Sequence, residues 1–88
     1  MAPNREEVLE RIRAHLSEEL GIDASIIEEG SRFKDDLEAD SLDLVELVVE
    51  LEDRYGIRMA EDQAERVKTV GDAVDFVLAQ APVNPTSS

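Results

Sequence analysis

Asp40-Ser41-Leu42-Asp43-Leu44-Val45-Glu46-Leu47-Val48-Val49-Glu50-Leu51-Glu52-Asp53-Arg54-Tyr55-Gly56 is the stretch that decides the fold. Asp40 is a strong N-cap, because its short carboxylate accepts from amides that the first helical turn leaves free. Gly56 ends the run, since glycine adopts the left-handed conformation that closes helices. The spacing therefore predicts a helix from Ser41 to Tyr55. At 100° per residue, Leu44, Leu47, Val48, Leu51 and Tyr55 share one apolar face. Leu42, Val45 and Val49 form a second patch on the other side, bordered by Asp43, Glu46, Glu50 and Asp53. A helix buried on one side requires only the first face. The second patch is either further core or an exposed apolar strip beside carboxylates, which is the composition of a docking surface.

Upstream, Asn4 with Glu7 three residues on reads as a helix start, and Leu9, Ile12, Leu16 and Leu20 recur at helical spacing with Val8 beside them. Gly21 stops this first helix, placed at residues 5–20. His15 sits at the edge of the stripe with no second histidine and no carboxylate motif, which gives it a structural or surface role. Residues 22–40 have no sustained period. Ile26, Ile27, Phe33 and Leu37 are spaced as anchors, with a short helical turn expected near Ser31 to Leu37. A connection of about 20 residues is long for a small domain and is often functional. Downstream come a loop, Ile57 to Ala60, and a short helix, Glu61 to Arg66, with Ala64 and Val67 turned inward. Thr69-Val70-Gly71-Asp72 resembles a capping box. Val70, Ala73, Val74, Val77 and Ala81 then align as a fourth helix with Phe76 on its flank. Residues 82–88 are expected to fray. The reading is all-α: one small four-helix bundle over residues 1–81, with a long first loop and a short third helix.

Composition narrows the function. The chain has 88 residues and no cysteine, so apolar packing supplies its stability and no thiolate site exists. Aromatics are 3% against 42% hydrophobic residues, so the core is aliphatic. With 22 acids against 9 bases the net charge is −13. That sign opposes both nucleic acid and anionic membrane, and no apolar run reaches the length of a spanning helix. The N-terminus lacks the regions of a signal peptide, which points to the cytoplasm. Asp35 to Tyr55 alone carries nine acids and one base, a local negative surface suited to basic partners.

Catalytic and metal chemistries do not fit. Aligning Asp36, Glu38 and Asp40 with a calcium loop places Ser41 where the turn glycine belongs and Leu47 where the bidentate glutamate belongs. Ala39-Asp40-Ser41-Leu42-Asp43 is not a nucleophile elbow. Zinc spacing and a phosphate-cradling glycine loop are both missing from the sequence, so no metal and no enzyme activity are expected. Ser41 still stands out. It opens a helix, where unpaired amides and the positive end of the dipole favour a phosphate ester. Asp40, Asp43 and Glu38 oppose capture of free phosphate, an objection that covalent attachment avoids.

Phe33-Lys34-Asp35-Asp36-Leu37-Glu38-Ala39-Asp40-Ser41-Leu42-Asp43, followed by Val45-Glu46-Leu47-Val48, resembles the signature of the acyl carrier proteins. The likeness extends from the first helix to Phe76. It implies that Ser41 carries 4′-phosphopantetheine, making a phosphoprotein whose arm holds acyl groups as thioesters in fatty acid biosynthesis. It implies that Asp40, Leu42, Asp43, Val45, Glu46, Val49 and Glu50 are read by partner enzymes with basic patches. Phe33, Leu47, Val48, Leu51, Met59, Ala64, Val67, Ala73 and Phe76 match the lining of an acyl pocket. The implied partners are a phosphopantetheinyl transferase, fatty-acid synthesis enzymes and acyltransferases, met by a monomer. The sequence departs from the family at Glu38, where glycine is frequent, at Leu44, where smaller or polar residues are common, and at Ala60, where proline is frequent. A carrier for a polyketide or other specialised pathway shares the Ser41 signature, and an acidic helical interaction module shares the composition.

Overall fold

The computed structural model describes residues 4–80, and the expectations for Ala81, the tail 82–88 and the domain boundary between them lie outside the described residues. Four helices follow in chain order: α1, Arg5–Leu20, α2, Ser41–Tyr55, α3, Glu61–Arg66, and α4, Val70–Gln80. All four match the sequence reading.

The caps explain why the boundaries were legible. The Glu7 amide donates to Asn4 Oδ1 (2.7 Å) and the Asn4 amide to Glu7 Oε1 (3.2 Å), a complete capping box. Thr69 and Asp72 repeat the arrangement at α4, with the Asp72 amide 3.1 Å from Thr69 Oγ1 and the Thr69 amide 3.2 Å from Asp72 Oδ2. Gly21 and Gly56 close α1 and α2 at φ 68° and 65°, in the left-handed region. α3 is the exception. Ala60 offers no side-chain acceptor, so only half a box forms, with the Ala60 amide donating to Gln63 Oε1 (2.9 Å).

α1 packs chiefly on α4 and α2. The core is aliphatic as composition required: Val8, Ile12, Leu16, Ile27, Leu51, Val70, Val74 and Val77 are essentially inaccessible, with Phe33 the one aromatic among them. Each such side chain contributes roughly 1.5–3 kcal/mol by leaving water. The stripe on α1 is centred one residue away from the sequence reading. Val8, Ile12 and Leu16, four apart, form its buried line, while Leu9 and Leu20 are half-buried flanks. His15 is half-buried, and its Nε2 is covered without a hydrogen-bond partner among the described residues.

The long connection is tied down along its length. The Arg13 Nε–H donates to the Ile27 carbonyl (2.7 Å). Arg5 forms ion pairs with Glu29 and, at 2.5 Å, with Asp75 on α4, which hold its guanidinium even more firmly protonated. A single antiparallel bridge sets Arg32 opposite Thr69. Beside it, the Phe33 amide donates to Lys68 O (3.0 Å) and the Gly71 amide to Glu29 O (2.7 Å). This backbone approach is so close that a Cβ on Gly71 would stand 3.0 Å from the Glu29 carbonyl. Ile27, Phe33 and Leu37 are buried anchors as expected. Ile26 is not: it is 57% exposed, because a 3₁₀ turn at Ala24–Ile26 sends it outward while Ile27 turns in. The helical turn expected near Ser31 to Leu37 is one turn, with the Asp36 and Leu37 amides both donating to Arg32 O (3.0 Å each).

Candidate functional site

The end of that connection delivers Ser41. The Ala39 amide donates to Phe33 O (2.8 Å), and Ala39 is buried, so the chain is fixed two residues before the helix begins. Asp40 and Asp43 then complete a capping box, the Asp43 amide donating to Asp40 Oδ1 (2.9 Å) and the Asp40 amide to Asp43 Oδ2 (3.0 Å). Ser41 is the first helical residue and is exposed. Its hydroxyl takes no part in the cap, because the two aspartates already form it. The Ser41 and Leu42 amides sit in the first turn, where no intrahelical acceptor exists, so a phosphate ester on Ser41 would meet donors and the positive dipole end. The exposed hydroxyl and these amides fit a covalently attached phosphodiester.

Glu38 is exposed and adopts φ 57°, the one left-handed non-glycine residue among those described. Sequence reasoning marked this position as a departure. The conformation explains why glycine suits it.

α2 divides as its periodicity requires. Leu47 and Leu51 are buried, and Leu44, Val48 and Tyr55 are half-buried at the edges of that face. Burial also pushes the Tyr55 phenol up from its ordinary value of 10.0. The second patch is not additional core: Leu42 is 63% exposed, Val45 55% and Val49 48%. Asp43, Glu46, Glu50 and Asp53 flank this strip. Glu50 accepts from Arg54 Nε (3.3 Å), and Glu46 and Asp53 are open to water. The recognition candidates thus form one surface that starts at Ser41 and runs down α2. Sequence reasoning missed Glu19 on α1, an exposed residue whose carboxyl is raised mainly by hydrogen bonding with Glu46, then by desolvation, with Asp43 also adjacent. No local signal in α1 reports that contact, which depends on how the two helices pack.

The pocket candidates fall into two groups. Phe33, Leu47, Leu51, Met59 and Ala73 are buried, while Val48, Ala64, Val67 and Phe76 are half-buried around them. Ala64 is less deeply turned in than expected, since α3 has no buried residue. Val67 and Phe76 also line an open cleft with Gln63, Arg66, Asp72 and Asp75. Among the described residues no group of three or more carboxylates and imidazoles is arranged to hold a metal, and no helix is long and apolar enough to cross a membrane.

The family described as phosphopantetheine attachment site matches residues 10–77, a span that contains Ser41. The acyl carrier protein of Rubrobacter xylanophilus is 45% identical over 75 residues, covering 85% of this chain and 93% of that protein. Among solved structures, the acyl carrier protein of Enterococcus faecalis superposes with a TM-score of 0.78 at 38% identity, covering 90% of this chain and 100% of the other. The acyl carrier protein of Thermotoga maritima gives 0.75 at 28% identity, covering 86% and 88%.

Proposed function

From the premise that the chain belongs to the acyl carrier proteins, with their phosphopantetheine attachment site, we propose that Ser41 bears the arm and that the protein serves fatty-acid synthesis. When bound, the group supplies a thiol that holds acyl chains as thioesters, so a protein without cysteine can carry them. The observation that supports Ser41 is its exposed hydroxyl at the first position of α2, left out of a cap that Asp40 and Asp43 complete.

The chain's own residues hold and present, and perform no catalysis. Asp40, Asp43, Glu46 and Glu50 attract a basic surface, and Leu42, Val45 and Val49 give it apolar contact beside Ser41. Charge steers the approach and sets orientation, while the exposed strip contributes to affinity. Such a surface suits a phosphopantetheinyl transferase, acyltransferases and the enzymes of fatty-acid synthesis, each meeting a cytoplasmic monomer. Phe33, Leu47, Val48, Leu51, Met59, Ala64, Val67, Ala73 and Phe76 shelter the acyl chain. The extreme acidity and the Leu42-x-x-Val45-Glu46-Leu47-Val48 pattern favour the fatty-acid role over a specialised pathway.

The test is intact mass after incubation with coenzyme A and a phosphopantetheinyl transferase. The wild-type chain should gain one phosphopantetheine and Ser41→Ala should gain none. A wild type that stays unmodified, or a variant that is modified, overturns the assignment.

A further inference from the structure

The residues expected to shelter an acyl chain are already packed. Leu47, Leu51, Phe33 and Ala73 are almost inaccessible and Met59 is 9% exposed, so part of the fold must move before a chain can lie among them. Interiors at this density do not deform continuously, and the least secured element moves first. That element is the segment from Ile57 through α3. Its helix has six residues, too short to persist without tertiary support, with no buried residue and half a cap. The segment is anchored at one end by Gly56, whose amide donates to Glu52 O (2.9 Å), and beyond the other by the Phe33–Lys68 backbone bond. Between these anchors, Ile57 and Met59 are buried and one side chain reaches across from α2: Glu52 Oε2 accepts the Met59 amide at 2.8 Å.

Glu52 is an unfavourable residue for its own helix. It lies in the last turn of α2, where the dipole disfavours a carboxylate. Half-buried beside Met59, its carboxylate makes a charge-assisted bond to the backbone amide of that buried residue. We propose that Glu52 is a latch. Its bond to Met59 fastens the α2–α3 loop over the core, and a chain that displaces the loop must break it, so Glu52 sets which acyl chains are sheltered.

The latch rests on the reading that Ser41 carries the arm, and its test separates the two. Wild type, Glu52→Ala and Glu52→Gln are compared unloaded and bearing acetyl or octanoyl groups. In the unloaded Ala variant the Met59 amide should exchange with deuterium roughly tenfold faster, the effect of losing one charge-assisted bond. Glu52→Gln retains an acceptor oxygen and should stay within about threefold of wild type. Since the bond opposes occupancy, octanoyl thioester on the Ala variant should resist hydroxylamine better than on wild type, with acetyl thioester cleaved equally on all three. A general loss of stability would instead speed cleavage of the octanoyl thioester and leave the acetyl thioester unchanged. Unchanged Met59 exchange in Glu52→Ala overturns the latch, whether or not Ser41 is loaded. So does octanoyl protection that stays equal or falls, or a Gln variant that behaves like Ala. Wild type that takes up no arm overturns the carrier reading, and the latch as a gate for acyl chains with it.

Discussion

Two neighbouring residues at the start of α2 have opposite duties, and substitution should separate them. Asp40 supplies the acceptor for the Asp43 amide, whereas Ser41 supplies only an exposed hydroxyl. Asp40→Ala should therefore cost about 1 kcal/mol of unfolding free energy, the usual loss of an N-cap. Ser41→Ala should change stability by no more than about 0.5 kcal/mol. Urea titrations of both variants check this, and equal losses would place Ser41 in the cap. Glu38 provides a second contrast. A left-handed non-glycine residue carries about 1–2 kcal/mol of strain, and glycine removes it at some expense in unfolded-chain entropy. Glu38→Gly should be more stable by roughly 0.5–1 kcal/mol, or about 3–6 °C in a domain of this size. Glu38→Ala keeps a Cβ and should gain nothing. A stabilised Ala variant would show that charge, not backbone conformation, limits this position.

At the scale of elements, legibility followed how local each determinant was. α1, α2 and α4 were readable because their caps and stops are encoded within four residues: Asn4 with Glu7, Asp40 with Asp43, Thr69 with Asp72, and the glycines 21 and 56. α3 was readable through Glu61–Arg66 between loops, but not its weak hold on the core. The connection before α2 was legible only in part. Ile27 and Ile26 look alike in sequence, and only the 3₁₀ turn and the pairing of Arg32 with Thr69 decide which is buried. Likewise the two faces of α2 were visible in its period, while the exposure of Leu42, Val45 and Val49 depended on nothing else covering them. That exposure makes α2 testable as a unit. Reversing Glu46 and Glu50 to lysine should leave helix content unchanged by circular dichroism. Association with the transferase should slow by about tenfold or more at low salt, with the difference shrinking at high salt. Kinetics unchanged at low salt would reduce the acidic band to a solvated surface.

The whole molecule must fold against its own charge. Twenty-two acids face nine bases, and the ion pairs among the described residues engage only Arg5, Arg13, Arg32 and Arg54. These pairs are surface contacts of small individual worth, so the excess of carboxylates is left largely uncompensated. The conflict is sharpest where α1 meets α2, with Glu19 set against Glu46 and Asp43. Hydrogen bonding with Glu46 favours the neutral form, and desolvation acts the same way although Glu19 is exposed, so the folded-state value for Glu19 lies above its ordinary 4.5. A carboxyl raised on folding stabilises the native state below its ordinary value, and that contribution is lost as pH rises through the folded one. Once deprotonated, Glu19 faces two further carboxylates, and it weakens the seam between α1 and α2. Its position fits the docking role proposed for Glu46, since a third carboxylate deepens the negative potential and an arriving cation relieves the repulsion. Stability is then yielded for association. Glu19→Gln removes the charge and keeps hydrogen-bonding capacity. It should melt higher than wild type at pH 7 in low salt, and by less in 0.5 M sodium chloride, where screening acts within about 4 Å. The gain should vanish as pH falls to 4.5 and below, where wild type is itself protonated at this position. It should also slow docking of a basic partner in the low-salt buffer that shows the largest gain in melting temperature. A variant that melts with wild type at pH 7 in low salt would mean that Glu19 turns away from α2 in solution, and the trade between stability and docking would lose its basis.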